Sequence, residues 1–257
     1  MNKNDLDATH YTRHSSLQNG LAKDVLNTLH ISPEDSILDV GCGDGRITAE
    51  LARRAVKGSV EGLDASPSMI EYATVNFPND HFPNLHFQLV PIENKQFSHP
   101  FNLITSFSCF HWLKDPKKVM QKLMGSLKEG GELLILTYPK ESPYYQYLER
   151  ALENYPGYKH LSANHTMLSA QEYNDFFLEN HFEIRNFEAK TIFATYNSED
   201  EIYHFIKSWV NNYILLPENL QDQFIREVIQ LVLNDPSTQK NSTISIPYTA
   251  LIMRVQK

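Results

Sequence analysis

The chain has 257 residues, 41% of them hydrophobic and 21% charged, and 23 basic against 31 acidic side chains leave a net charge of −8. That balance excludes a global electrostatic field for nucleic acid, and the basic doublets Arg53-Arg54 and Lys117-Lys118 are isolated, as on solvated helix faces. The length allows one large domain, or a core with an insert, and is enough to bury a sizeable core.

The N-terminal stretch "MNKNDLDATHYTRHSS" has no apolar segment of a secretory signal, and no apolar run reaches membrane-spanning length. A cytoplasmic protein is expected, with no membrane or nucleic-acid partner, as a monomer or weak dimer. Leu17, Leu21, Ala22, Val25, Leu26 and Leu29 recur at helical spacing, which predicts a helix over 15–29. "SILDV" (36–40) is a short apolar run closed by glycines, a buried strand. Residues 45–56 resume helical spacing through Ile47, Leu51 and Ala55, and "SVEGLD" (59–64) is a second strand. Ser66-Pro67 opens a helix with Ser as N-cap and Pro at its first position. "LHFQLV" (85–90) and "FNLITSF" (101–107) are the third and fourth strands. Asp115-Pro116 caps the next helix, which Gly130-Gly131 is expected to end, and "ELLILTY" (132–138) is the fifth strand. Strands alternating with helices at this rhythm imply a parallel sheet covered on both faces.

After Tyr138 the rhythm breaks. Residues 139–168 are rich in tyrosine and hold no clean strand, which predicts an inserted cap. Ser169-x-x-Glu172 and Ser198-x-x-Glu201 are capping-box patterns, each starting a helix. Between them, 182–196 is strand-like. Pro217 begins another helix, and the chain ends in "TISIPYTALIMRV", where Pro247 predicts a bulge or an edge position. The two cysteines, Cys42 and Cys109, lie at the ends of predicted strands and read as free thiols. His160 and His165 lack the spacing of a metal site, and no metal is expected.

The strongest local signal is "ILDVGCGDGRIT" (37–48). Three of the chain's ten glycines, Gly41, Gly43 and Gly45, fall between a strand and a helix. An open parallel sheet binds ligands there, outside the carboxyl ends of its strands. The pattern is G-x-G-x-G, with Arg46 where a dinucleotide fold has its third glycine, which counts against NAD or FAD. It suits a ligand with an amino-acid end and one nucleoside. Asp64 closes the second strand, where a carboxylate can accept both ribose hydroxyls. Asp39 either braces the loop or accepts from the ligand's amino group.

These residues resemble those of the class I S-adenosylmethionine-dependent methyltransferases, through "ILDVGCGDGRIT", "VEGLDASPSMIEYA" and "LKEGGELLIL" over about 35–138. The resemblance implies S-adenosyl-L-methionine as cofactor, with S-adenosyl-L-homocysteine as its product. It implies a doubly wound, Rossmann-like α/β sheet, mostly parallel with an antiparallel C-terminal strand, plus an aromatic-rich helical cap. The corresponding divisions are an N-terminal closing segment (1–34), a cofactor core (35–138 and 182–257) and a cap insert (139–181), with helices within 198–234 adding to the cap. The cofactor residues it implies are Asp39, Gly41, Cys42, Gly43, Gly45, Asp64, Ala65, Ser66, Met69, Ile92 and Ser106. One position departs from the family: Pro91 stands where most members carry an adenine-binding acid, followed by Ile92 and Glu93.

A finer resemblance, to the juvenile hormone acid and trans-aconitate carboxylate methyltransferases, rests on "YTRHSSLQ", "SFSCFHWLKDPKKVMQKLMGSLKEGGELLIL" and "ISIPYTALIMRVQK". It implies that Gln18 and Trp112 contact a substrate carboxylate, with His111 beside the transferred methyl group. Tyr144 and Trp209 are the candidate walls of the acceptor pocket, and Tyr11 and Arg13 can close over the methionine end. A carboxylate acceptor is ionised at neutral pH and needs no base, whereas an amine, phenol or carbon acid does. The alternatives are therefore a small-molecule N-, O- or C-methyltransferase with His111 as base, or a protein that binds the cofactor without catalysis.

Overall fold

The computed structural model describes residues 8–158, 165–240 and 243–257. The short apolar runs form β1 (Ser36–Val40), β2 (Ser59–Asp64), β3 (Leu85–Leu89), β4 (Phe101–Phe107) and β5 (Leu127–Thr137), all paired in parallel. Three more strands, β6 (Glu183–Tyr196), β7 (Gln239–Lys240) and β8 (Thr243–Gln256), complete the sheet in the order β3-β2-β1-β4-β5-β8-β6. β8 runs antiparallel to both β5 and β6, and the short β7 pairs with its start. The strand order reverses at β1, which has β2 on one side and β4 on the other, so a crevice opens beyond its carboxyl end.

The helices are α1 (Ala8–His14), α2 (Ser16–Leu26), α3 (Arg46–Arg54), α4 (Pro67–Asn76), α5 (Pro116–Gly125), α6 (Pro143–Leu152), α7 (Ala170–Glu179), α8 (Glu199–Lys207), α9 (Val210–Tyr213) and α10 (Glu218–Leu233). Successive strand residues serve opposite faces, as the two-residue period of a strand requires. Ile37, Leu134 and Leu136 join a core with α2, α3, α6, α8 and α10. Leu38, Leu133 and Ile135 join a second core with α5 and α7. The predicted caps are in place: Ser66 Oγ accepts from the Met69 N–H at 3.3 Å and Asp115 Oδ1 from the Lys118 N–H at 3.0 Å. Ser169 and Glu172 form a complete capping box. Ser198 caps α8 through the Glu201 N–H, but the Glu201 carboxylate reaches back to the N–H of Asn197 instead of Ser198.

Three expectations need correction. The helix predicted over 15–29 is α2, which runs from Ser16 only to Leu26, and Ser15 (φ −101°, ψ 26°) separates it from α1, a helix that was not predicted. Gly130-Gly131 does not end α5, which stops at Gly125; both glycines lie inside β5. There a Cβ on Gly131 would stand 3.0 Å from the Phe101 carbonyl oxygen, and the pairing with β4 shifts register between Phe101 and Leu103. For Pro247 the edge alternative holds and the bulge does not, since its pairing with Phe193 is regular. β5 pairs with β8 only from Leu251 onward, so the first half of β8 is open on that side. The Thr249 N–H donates to Ser142 Oγ on that open side at 3.0 Å, and Pro247, two residues earlier, points its nitrogen the same way, where no ladder bond is lost. No helix among the described residues is long and apolar enough to cross a membrane.

Candidate active site

A cavity of about 570 Å³ opens at the carboxyl ends of β1, β2 and β4. On one side it is built by the glycine loop. Gly41 (φ +72°) needs its left-handed backbone and its missing side chain: an added Cβ would stand 2.5 Å from the Cys109 Cβ. Gly43 (φ +52°) is different, because an added Cβ there would meet nothing within 4 Å. Its bare backbone faces open cavity, the room a ligand would fill. Asp64 stands opposite, its Oδ2 accepting from the Gly43 N–H at 2.9 Å and its Oδ1 from the Ser66 N–H at 2.8 Å. Ala65, Ser66 and Met69 continue this wall, and Val90, Pro91, Ile92 and Glu93 face it. Lys122 Nζ holds that second segment by donating to the Ile92 and Glu93 carbonyls at 2.9 and 3.1 Å.

Four predicted cofactor residues do not reach the cavity lining. Asp39 is buried beneath the loop and accepts from the Thr48 and Thr105 hydroxyls at 2.7 and 2.8 Å, so of its two readings the brace is the one its geometry matches. Burial raises its carboxyl to about 6, against the pull of both threonines. Cys42 is buried behind the loop, packed against Gly62, with its thiol pushed up by burial. Gly45 faces Ala73 and Phe87, and Ser106 Oγ donates to the Val40 carbonyl at 2.8 Å. Ser108, at φ +55°, takes the lining position expected of Ser106.

The other side of the cavity holds His111, Trp112, Gln18, Tyr144 and Trp209, all predicted, brought together from β4, α2, α6 and the α8–α9 junction. His111 is 4% exposed, and its Nδ1 lies 3.1 Å from Thr137 Oγ1. Burial, aided by His165, lowers the imidazole to about 3, so it is neutral at physiological pH. Aromatic rings close a circuit around the pocket. From His111 the centroids step to Trp112 (4.6 Å), Trp209 (6.2 Å), Tyr144 (5.4 Å), Tyr248 (4.8 Å) and Tyr138 (6.2 Å), then back to His111 (5.3 Å). Tyr138 and Tyr248 were not anticipated. Tyr138 had a signal, its place at the carboxyl end of β5; Tyr248 had none, because it comes from the antiparallel strand.

The N-terminal helices are tied to the glycine loop by polar contacts also missed from sequence. Asp44 accepts from Thr12 Oγ1 at 3.0 Å and from Arg46 Nε at 2.8 Å, and Arg46 Nη2 donates to Ser15 Oγ at 2.9 Å. Tyr11 lines the cavity with its phenol pushed up by burial. The Arg13 side chain and His160 lie outside the described residues, and His165 lines the pocket beside Trp112. Both cysteines are unpaired. No cluster of three or more His, Cys, Asp or Glu side chains among the described residues could hold a metal.

Comparison with known proteins matches this geometry. Residues 31–208 match the model of the methyltransferase domain family. The chain is 25% identical over 246 residues to juvenile hormone acid O-methyltransferase of Drosophila melanogaster, covering 87% of this chain and 81% of that one. It is 29% identical over 195 residues to a malonyl-[acyl-carrier protein] O-methyltransferase of Paenibacillus sp. (strain JDR-2), covering 73% and 70%. The structure of coclaurine N-methyltransferase bound to N-methylheliamine and SAH superposes with a TM-score of 0.58 at 14% identity, over 93% of this chain and 72% of that one. The sheet order, the glycine loop with Asp64 across from it, and the family match lead to one conclusion: this chain is a class I S-adenosylmethionine-dependent methyltransferase.

Proposed function

We propose that the enzyme O-methylates the carboxylate of a small, partly apolar acid. The observation that carries this reading is the neutrality of the acceptor side. No Lys or Arg among the described residues lines the cavity, and the pocket is built of aromatic rings with the Gln18 amide and Trp112 indole as neutral donors. Such donors orient a carboxylate without the tight ion pair that would quench it as a nucleophile. Of the two imidazoles among the described residues that line the pocket, His111 and His165, the one beside Trp112 in sequence, His111, is too weak at about 3 to draw a proton from an amine or phenol. A carboxylate has no proton to lose.

In this reading Asp64 holds both ribose hydroxyls, and the loop from Gly41 to Gly43 lies against the methionine end. Ala65, Ser66, Met69 and Ile92 flank the adenine. When bound, S-adenosylmethionine supplies a methyl group on a sulfonium, open to in-line displacement. The chain's own part is to orient the acceptor and exclude water. Gln18 and Trp112 aim the carboxylate, His111 packs beside it as a neutral wall, and the aromatic circuit shuts out solvent. The helices α6, α8 and α9 form the substrate-selecting cap, and α1 and α2 close the entrance. The relatives that are named carboxyl O-methyltransferases support the acceptor class.

A panel of carboxylic acids with methyl-labelled cofactor tests the reading. Products should lose label in mild alkali, as esters do, and His111→Gln should keep kcat within about tenfold of the parent, since no proton transfer is removed. An alkali-stable product, or a loss of about 100-fold or more at unchanged cofactor affinity, would instead support N-, C- or ether-forming O-methylation of another metabolite with His111 as base.

A further inference from the structure

Across the aromatic circuit from His111, ring polar atoms have no hydrogen-bond partner among the described residues, those of Tyr144 and Trp209 among them. The Tyr144 hydroxyl and the Trp209 indole N–H are both sealed from solvent and unbonded, on side chains 1% and 8% exposed that line the cavity. Tyr144 is the ring opposite His111: three steps separate them through Trp112 and Trp209, and three through Tyr138 and Tyr248. Buried donors are rarely left unpaired, because each forfeits its hydration without replacement. An indole N–H can only donate, so the absent partner is an acceptor.

The surroundings restrict that acceptor further. The reacting carboxylate faces the cofactor's sulfonium; a second carboxylate placed across the pocket would lose its hydration with neither that charge nor a cationic side chain among the described lining residues beside it. Behind the pocket, Tyr213 packs edge-on against Trp209 and donates to Glu149 at 2.6 Å, which adds a negative charge nearby.

We propose that Tyr144 and Trp209 form a second polar subsite, which takes a neutral oxygen acceptor (a ketone, ester or ether oxygen) on the body of the acid, across the pocket from its carboxylate. This rests on the carboxylate reading above and narrows it, from any partly apolar acid to a monocarboxylic acid carrying a neutral oxygen along its chain. Dicarboxylic and tricarboxylic acids are disfavoured.

The probes are octanoic acid and its four isomeric 4- to 7-oxo derivatives, titrated calorimetrically into the enzyme saturated with S-adenosylhomocysteine. At least one oxo acid should bind the parent enzyme about tenfold more tightly than octanoic acid, the effect of pairing buried donors. Tyr144→Phe and Trp209→Phe should each reduce that preference to about threefold or less. Parent enzyme that binds octanoic acid as tightly as every oxo acid overturns the subsite, with no reliance on either variant. So does a preference that survives both substitutions. If none of the five acids binds while amines or phenols do, the carboxylate reading falls and takes the subsite with it, an outcome distinct from equal binding.

Discussion

Two buried ionisable side chains, Asp39 beneath the glycine loop and His111 beside Trp112, act on stability with opposite signs. His111 titrates near 3, below the ordinary 6.5. On acidification the unfolded chain takes that proton first, so the contribution is full above about 6.5 and is lost as pH falls toward 3. Asp39 titrates near 6, above the ordinary 3.8. Its folded form keeps its proton longer, so its contribution is full below about 3.8 and is lost as pH rises through 6. Between pH 4 and 6 the two slopes oppose. Over that window the stability of Asp39→Asn relative to the parent should rise by about 2 kcal/mol, and that of His111→Gln should fall by a similar amount. Denaturant melts at pH 4, 5 and 6 measure both, and two flat differences would mean that neither group is perturbed. The residues of the glycine loop and Asp64 were legible in sequence because their chemistry is local, one turn and one strand end. Asp39 was legible as important and left open between two roles; the two threonine hydroxyls beside it come from α3 and β4 and leave no mark in its neighbourhood.

At the scale of elements, the N-terminal helices are held by side chains. Arg46 opens α3 and bridges Asp44 of the glycine loop to Ser15, while Thr12 bonds Asp44 from α1. The glycine loop and the N-terminal helices thus share one polar junction. Arg46→Ala should weaken S-adenosylhomocysteine binding by about three- to tenfold through loss of charge-assisted hydrogen bonds at a partly buried position. It should also speed proteolysis between α1 and α2, and saturating S-adenosylhomocysteine should restore part of the protection. Unchanged cleavage and affinity would show that the junction does not hold these helices. The existence of helices was legible wherever an apolar stripe and a cap coincided, as at Ser66, Asp115 and Ser169. Boundaries were not legible where backbone geometry decides them: α2 stops at Leu26 although its apolar stripe runs on to Leu29, and Gly130-Gly131 looks like a helix stop yet serves the register of β5 against β4.

For the molecule as a whole, the alternation of strands and helices was enough to read the doubly wound sheet, because each crossover is local in sequence. The placement of the last strand was not contained in that rhythm. β8 enters between β5 and β6, and its register joins residues more than a hundred positions apart, such as Leu136 and Ile252. Tyr248 reaches the pocket by that route, which is why this member of the aromatic circuit was invisible from sequence. A chain ending at Ala250 should show no cooperative thermal transition and no heat of S-adenosylhomocysteine binding, because it removes the segment paired on both sides. A cooperative melt within about 5 °C of the parent would show that β8 is dispensable. The position of β8 also orders events during synthesis. β8 leaves the ribosome after β6, and until it does β6 has no strand to pair with. The nascent enzyme therefore carries a fourteen-residue unpaired strand while the 46 residues between β6 and β8 are added, and its pocket lacks Tyr248 until β8 has emerged.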